Sequence, residues 1–118
     1  MVRALGEFKQ ELIKDYNDIN LRMFNTGVKR HKVDILGNKV IILSLHKRIN
    51  SLKYMDEKNR FVTRITDVSL LDYFKDELRI LFEEKYGMNV ISVLKDYDPR
   101  TEYSGTIVIL DQNIENYF

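Results

Sequence analysis

The sequence has no cysteine, a single proline and no long apolar run. Without cysteine the chain forms no disulfide, zinc–cysteine site or iron–sulfur cluster, and it has no thiol nucleophile. The longest apolar run, residues 40–43, has the length of a strand, whereas a membrane span needs about 18 apolar residues. Residues 1–9 include three charged side chains and lack the apolar stretch of a signal peptide. We therefore expect a cytoplasmic protein that associates with a membrane only through a partner.

An excess of charge of one sign is also missing, since 19 Lys and Arg residues stand against 18 Asp and Glu residues. This balance disfavours a globally basic nucleic-acid binder. The chain lacks a P-loop, a dinucleotide-binding glycine motif, a nucleophile elbow and an HExxH motif. We expect no enzymatic activity, no cofactor and no resident metal.

What is present is enough apolar material for one core: hydrophobic residues make up 44% of the 118, which is typical of a folded single domain. We predict one domain over residues 1–118, with residues 111–118 as a polar C-terminal tail. The first element is predicted to be a helix that ends at Gly27, because apolar residues recur every three or four positions. These are Leu5, Phe8, Leu12, Tyr16, Ile19 and Met23.

A hairpin is predicted next, from two apolar runs at residues 32–36 and 39–45 that flank Gly37 and Asn38. A two-residue loop with glycine first is typical of a type II′ turn. This turn pairs Leu36 with Lys39, Val33 with Ile42 and His31 with Ser44. The second strand is apolar on both faces, so we expect it to be central in its sheet or covered on both sides.

Residues 51–86 have a helical pattern, with Leu71, Phe74 and Leu78 on one face. The pattern fits either one long helix that bends near Thr66 or two helices, and Gly87 is expected to end it. A second hairpin follows, with strands at 89–94 and 106–110 and a turn at 98–101 that contains the only proline.

The resulting α-β-β-α-β-β order predicts an α+β fold: a four-stranded, mostly antiparallel sheet with helices packed on one face. The other face of such a sheet must be solvated or covered. Because the strand at 39–45 is apolar on both faces, we expect a second copy of the chain to cover it, in a homodimer.

Positive charge is concentrated at residues 25–54, which carry a net charge of +6 in a chain whose remainder carries −5. The predicted hairpin brings the start of its first strand beside the end of its second. We call the cluster at this end the basic rim; it consists of Lys29, Arg30, His31, Lys32, His46, Lys47 and Arg48. Cations gathered against their repulsion indicate an anionic partner, although a solvated strand end is the alternative. The rim has no interleaved aromatic residues, so nucleic acid is not the expected partner.

The two histidines of the rim, His31 and His46, are predicted to lie diagonally on one face of the hairpin. A zinc site needs three or four ligands. Asp34 lies on the opposite face, and the neighbouring cations disfavour a dication, so no metal site is assigned. The same cations are expected to lower the histidine pKa values, which makes a pH-sensitive patch the better hypothesis.

Asp96, Asp98 and Glu102 form an acidic cluster at the second hairpin. Paired carboxylates serve as general acid and base in many enzymes, and this cluster is the one enzymatic hypothesis that the residues allow. An Asp before proline is also a common turn initiator, and no histidine is predicted to converge on the cluster.

Three local patterns match a known family. The first helix ends in an aromatic residue and a glycine (Phe24 and Gly27), residues 85–90 (KYGMNV) correspond to a T-G-x-x-V ending, and residues 96–99 (DYDP) precede an apolar last strand. From about residue 7 to residue 110 the chain resembles the MpsC-like family of small bacterial domains. It departs from the family at residues 25–29, where members often carry a glycine-rich GxGP-like turn.

The resemblance implies an accessory or regulatory subunit of a sodium-translocating system that generates a membrane potential. The family has no established catalytic residues, so none is assigned here. We therefore predict a non-enzymatic subunit whose basic rim docks on a membrane ion-transport complex. The alternative is a soluble homodimeric module that binds a small anion or a nucleotide at the same rim.

Overall fold

The structure, a computed structural model, describes residues 5–118, and the first four residues of the predicted domain lie outside this range. The described chain forms three α-helices and one four-stranded antiparallel sheet, which confirms the predicted α+β class. The helices are α1 (Leu5–Phe24), α2 (Asn50–Lys58) and α3 (Arg60–Ile80). The strands are β1 (Arg30–Leu36), β2 (Lys39–Leu45), β3 (Val90–Tyr97) and β4 (Tyr103–Leu110). A π-helical turn (Leu81–Lys85) extends α3, and a 3-10 turn (Ile114–Tyr117) follows β4.

The sheet has the strand order β1-β2-β4-β3, so β2 and β4 are its central strands. The first hairpin has the predicted register, in which Leu36 pairs with Lys39 and His31 with Ser44. Gly37 adopts φ +63°, and Asn38 does not have a positive φ. This agrees with a type II′ turn, which needs a positive φ only at its first central position.

The helices pack on one face of the sheet, as predicted. Both the helices and the inner face of the sheet bury apolar side chains in one core. The helical contributors include Phe8, Leu12, Tyr16, Phe74, Leu78 and Phe82, and those from the sheet include Val33, Val40, Ile42, Val93, Val108 and Leu110. Apolar side chains that recur every 3.6 residues on the helices and every second residue on the strands therefore pack in one core layer.

The outer face of the sheet carries apolar side chains that remain partly exposed. Leu43, on the central strand β2, is 46% exposed, and its neighbours Ile41 and Leu45 are intermediate. The strand β2 is central in the sheet, as expected. Within residues 5–118, however, its second face is not buried.

The middle helical region consists of two helices, with the break at Asn59 rather than near Thr66. Asn59 leaves helical geometry (φ −154°, ψ 72°), and its side chain accepts a hydrogen bond from the Val62 N–H. Thr66 and Ser69 do not cap a helix start, because their hydroxyls donate to carbonyls four residues earlier in α3. The asparagine side chain can accept a hydrogen bond from a backbone N–H in the first turn of the next helix, and this favours a new helix start over continuation of the old helix.

Gly27 was predicted to end α1, but Asn25 is the left-handed residue there, with φ +56°. Gly27 serves close packing instead. A Cβ atom at this position would lie 3.0 Å from Asn17 Oδ1, and that oxygen accepts a hydrogen bond from the Val28 N–H at 2.9 Å. Gly87 does adopt a left-handed conformation (φ +68°) after the π-helical turn, as predicted.

A polar cavity under the sheet

The inner face of the sheet changes from apolar to polar along its strands. Near the Gly37 turn it carries valine, isoleucine and leucine side chains. At the opposite end the same face carries hydroxyl, amine and imidazole groups, contributed by His31, Ser44, Lys95, Ser104 and Thr106. Ser44, Ser104 and Thr106 are all buried. Because buried polar groups cost free energy unless they are bonded, this end of the layer is a candidate site.

Lys95 is at the centre of this polar end. Its Nζ donates hydrogen bonds to Tyr16 Oη (2.5 Å), Ser104 Oγ (2.7 Å) and Thr106 Oγ1 (3.1 Å). The ammonium also lies 4.3 Å from the centre of the Phe74 ring, a cation–π distance. Its three N–H donors therefore all meet uncharged oxygens, and within residues 5–118 no carboxylate forms an ion pair with it.

A cavity opens beside Lys95, between the sheet, α1 and α3. The volume of the cavity is about 50 Å³. Because a cavity of about 10–15 Å³ holds one water molecule, this one has room for roughly three to five heavy atoms. Polar groups line one side and apolar side chains the other. The apolar side consists of Phe24, Val28, Ile49, Leu52, Leu70, Leu71 and Phe74. The lining thus combines the Lys95 ammonium and the Arg48–Asp67 ion pair with a largely apolar wall.

The Tyr16 phenol shows how strongly the Lys95 charge acts here. Burial by itself would raise the pKa of Tyr16, but the charge of Lys95 and the hydrogen bonds from Lys95 and Thr106 more than offset it. The pKa of Tyr16 is therefore below its ordinary value. A group that lowers a buried phenol's pKa stabilises negative charge at this position, which is the property needed to hold an anion.

Both histidines of the basic rim point inward rather than to solvent. The His31 ring packs edge-on against Tyr16, and the His46 ring packs against Phe24 and Tyr97. Burial and then the Lys95 charge lower the pKa of His31. The same two causes lower the pKa of His46 to about 4, with Glu102 opposing them. Both imidazoles are therefore neutral near pH 7, and the Nε2 atom of each is buried without a hydrogen-bond partner.

Arg48 is buried, at 4% exposure, and belongs to an ion-pair network rather than to a solvent-facing rim. Its guanidinium donates to Asp67 (2.6 Å) on α3 and to both oxygens of Asp56 (2.8 and 3.0 Å) on α2. Arg60 also donates to Asp67, at 3.1 Å. Two arginines and two aspartates therefore neutralise each other, and Arg48 offers no free charge to a ligand. The network ties the segment after β2 to the α2–α3 junction.

The remaining rim cations, Lys29, Arg30, Lys32 and Lys47, are exposed. Lys32 lies 3.9 Å from Asp34. The predicted rim is thus divided by the fold: four cations face solvent, the two histidines face inward, and Arg48 is buried.

The acidic cluster of the second hairpin does not converge. Asp96 and Asp98 are exposed, and Asp98 accepts a hydrogen bond from the Arg100 N–H (2.9 Å), as a turn initiator does. Glu102 has φ +67° and accepts a hydrogen bond from the Arg48 N–H (2.5 Å). The Asp96 side chain accepts from the Tyr97 N–H (2.9 Å), so each of the three carboxylates bonds a different backbone N–H group.

Lys95 is the site residue that sequence reasoning missed. Alternation could have found it, because residues 93, 95 and 97 share one face of a strand and Val93 belongs to the core. A lysine at an inward position between Val93 and Tyr97 departs from the apolar pattern of that face. The predicted strands, residues 89–94 and 106–110, stop short of Lys95 and Ser104. In the structure β3 continues to Tyr97 and β4 begins at Tyr103, and this extension brings the two side chains together.

Across the described part of the chain, no three His, Asp or Glu side chains are grouped as metal ligands would be. None of the helices in residues 5–118 is both long and apolar enough to cross a bilayer. No family model, curated protein or solved structure matches the chain.

Proposed function

We propose that this protein is a binding module for a small organic anion, held in the Lys95 cavity. The observation that carries the proposal is a partly buried ammonium whose partners within residues 5–118 are uncharged oxygens and aromatic rings. An ammonium partly withdrawn from water gains stability when an opposite charge joins it. A bound anion supplies that charge.

The lining indicates the class of anion. The cavity volume of about 50 Å³ fits a few heavy atoms and not a nucleotide. One lysine with hydroxyl neighbours matches a monovalent head group, whereas phosphate is usually held by arginine forks or backbone N–H groups. The apolar wall around Phe74 and Leu71 matches a short hydrocarbon body. A short-chain monocarboxylate satisfies all three features.

Lys95→Met is expected to abolish carboxylate binding while the chain stays folded. Methionine keeps an unbranched side chain between Phe74 and Tyr16 but removes the charge. We expect sodium propionate to raise the melting temperature of the wild-type protein, because a ligand that binds only the folded state stabilises it. Neutral propanamide, of similar shape, should not. Neither compound should shift the Lys95→Met variant.

Lys47→Met is the matched control, since Lys47 is exposed on the basic rim and should respond like the wild type. Calorimetric titration with propionate, inorganic phosphate and AMP then separates the anion classes. A propionate shift of equal size in wild type and Lys95→Met would refute the site, and loss of the shift in Lys47→Met alone would move it to the rim.

Docking on an acidic partner, as the MpsC-like resemblance implies, is a second proposal. Its support is the group of four exposed cations at the start of β1 and the end of β2. Within residues 5–118, Lys29, Arg30 and Lys47 form no ion pair. Uncompensated exposed cations attract an acidic protein surface or anionic headgroups.

The double variant Lys29→Glu/Lys47→Glu is expected to lose most of its co-sedimentation with membranes from the protein's own host. Both residues lie outside the paired strands, so the sheet should remain intact. Lys14→Glu/Arg64→Glu makes the same change in net charge at exposed positions of α1 and α3 and should co-sediment like the wild type. Equal recovery of all three proteins would count against docking through the rim.

A further inference from the structure

The outer face of the sheet has a row of four residues that is complementary to itself. Lys32 pairs with Leu43, Leu43 with Gly105, and Gly105 with Asp96. Because the strand order is β1-β2-β4-β3, these residues form one line across the sheet. From β1 to β3 the row therefore consists of a lysine, a leucine, a glycine and an aspartate, with a cation at one end and an anion at the other.

Gly105 is the unusual member of this row. It lies in the central strand β4, where glycine weakens a sheet and often marks the close approach of another group. Its φ is not in the left-handed region, and a Cβ atom added there would meet nothing within 4 Å. The packing of residues 5–118 therefore gives no reason for a glycine. The position is a notch on the outer face, next to the 46%-exposed Leu43.

We infer that the chain forms a homodimer in which two outer faces pack against each other about a two-fold axis parallel to the strands. With the axis between β2 and β4, the rotation reverses the order of each row. Leu43 of one copy then lies over the Gly105 notch of the other, and Lys32 lies over Asp96. Each contact occurs twice, as a two-fold interface requires.

The neighbouring rows obey the same operation. Arg30 and Tyr103 flank Leu45 at the next level, and Asp98 lies beside Tyr103, to whose carbonyl its N–H donates at 2.9 Å. The rotation therefore sets Arg30 over Asp98 of the second copy. One level in the other direction, Ile41 and Ile107 are paired and exchange places, while Asp34 lies over Leu94.

The arrangement is an aligned sandwich of two sheets about 10 Å apart. Its centre is apolar, from Ile41, Leu43, Leu45 and Ile107. On one long edge β1 supplies Arg30 and Lys32, with Asp34 3.9 Å from Lys32, and on the other edge β3 supplies Asp96, with Asp98 directly after it. This inference does not depend on the Lys95 cavity, which lies on the other side of the sheet.

Sedimentation velocity of single and mixed charge variants tests the pairing. Lys32→Asp and Asp96→Lys should each be monomeric, because each places like charges opposite each other in its own dimer. An equimolar mixture of the two should form dimers again. In the mixed dimer the acid introduced at position 32 faces the base introduced at position 96, and the unchanged Asp96 of the first variant faces the unchanged Lys32 of the second. Lys14→Asp and Asp76→Lys, at exposed positions of α1 and α3, should each dimerise like the wild type.

Gly105→Val separates an interface role from a folding role. Valine fills the notch and favours a strand, so the variant should be monomeric while its unfolding midpoint, measured at low protein concentration, is unchanged or higher. A wild-type chain that stays monomeric at all concentrations tested overturns the inference. So does a dimer that survives both charge variants and Gly105→Val, or one that is lost only on Phe61→Lys, since Phe61 is an exposed aromatic of α3.

Discussion

Arg48→Met is expected to lower the free energy of unfolding by about 3–5 kcal/mol, because it leaves the buried Asp67 and the partly buried Asp56 with only the half-exposed Arg60 as a cation. Asp67 is buried and loses its 2.6 Å partner, while Asp56 loses a bidentate pair. Hydrogen bonds from Arg48 are the main reason that the pKa of Asp56 is lowered. At roughly 4 °C per kcal/mol, the melting temperature should fall by about 12–20 °C. Urea unfolding at neutral pH measures the loss directly.

Arg60→Met is the matched control for this prediction. Arg60 bonds the same Asp67, but its side chain is 41% exposed, so its removal should cost about 1 kcal/mol or less. The triple variant Arg48→Met/Asp56→Asn/Asp67→Asn should recover a large part of the loss, since it also removes the stranded charges. A loss for Arg48→Met no larger than that for Arg60→Met would show that the network contributes little.

The second large effect expected is a loss of stability on mild acidification, caused by His46. Its pKa is about 4 in the folded chain and about 6.5 when unfolded. Between these values the unfolded chain binds more protons, so the free energy of unfolding falls as the pH is lowered. Below about pH 4 His46 is protonated in both the folded and the unfolded chain, so it causes no further fall in the free energy of unfolding. Because the ring is only partly buried, screening by water reduces the expected loss to about 1–2 kcal/mol.

His46→Phe is expected to flatten this dependence. Phenylalanine preserves the ring contacts with Phe24 and Tyr97 and removes the unpartnered Nε2. Urea unfolding at about pH 7 and about pH 5 should therefore give a smaller difference for the variant than for the wild type. Carboxylates that titrate in this range are common to both proteins and cancel in the comparison. Identical differences in the two proteins would exclude His46 as the cause.

Much of the fold could be predicted because its signals are local. The register of the first hairpin follows from Gly37 and Asn38, since a two-residue loop leaves one way to pair the strands. The core faces of α1 and α3 follow from apolar spacing. The position of the helix break did not follow, because asparagine and threonine both cap helix starts. In the structure the Asn59 side chain accepts a hydrogen bond from the Val62 N–H, whereas the Thr66 hydroxyl donates to the Val62 carbonyl.

The candidate site was only partly predictable, for a reason that Arg48 and Lys95 illustrate. In sequence Arg48 belongs with Lys47 in a basic run, and Lys95 precedes an acidic turn. Their environments depend on residues far along the chain: Asp67 for Arg48, and Tyr16 for Lys95. Neither contact leaves a trace in local spacing. The pattern therefore predicted the clustering of cations but not which of them are neutralised, buried or free.

The sequence by itself determined the α+β class, the antiparallel hairpins and the absence of thiol chemistry, because composition and short-range periodicity decide these. The tertiary structure alone decided which charges are available. Pairing of β2 with β4 and packing of α1 and α3 over the sheet enclose Lys95 among neutral oxygens, while the α2–α3 junction neutralises Arg48. Burial and charge compensation arise from groups that meet only when distant segments pack, so the site exists in the fold and not in any one segment.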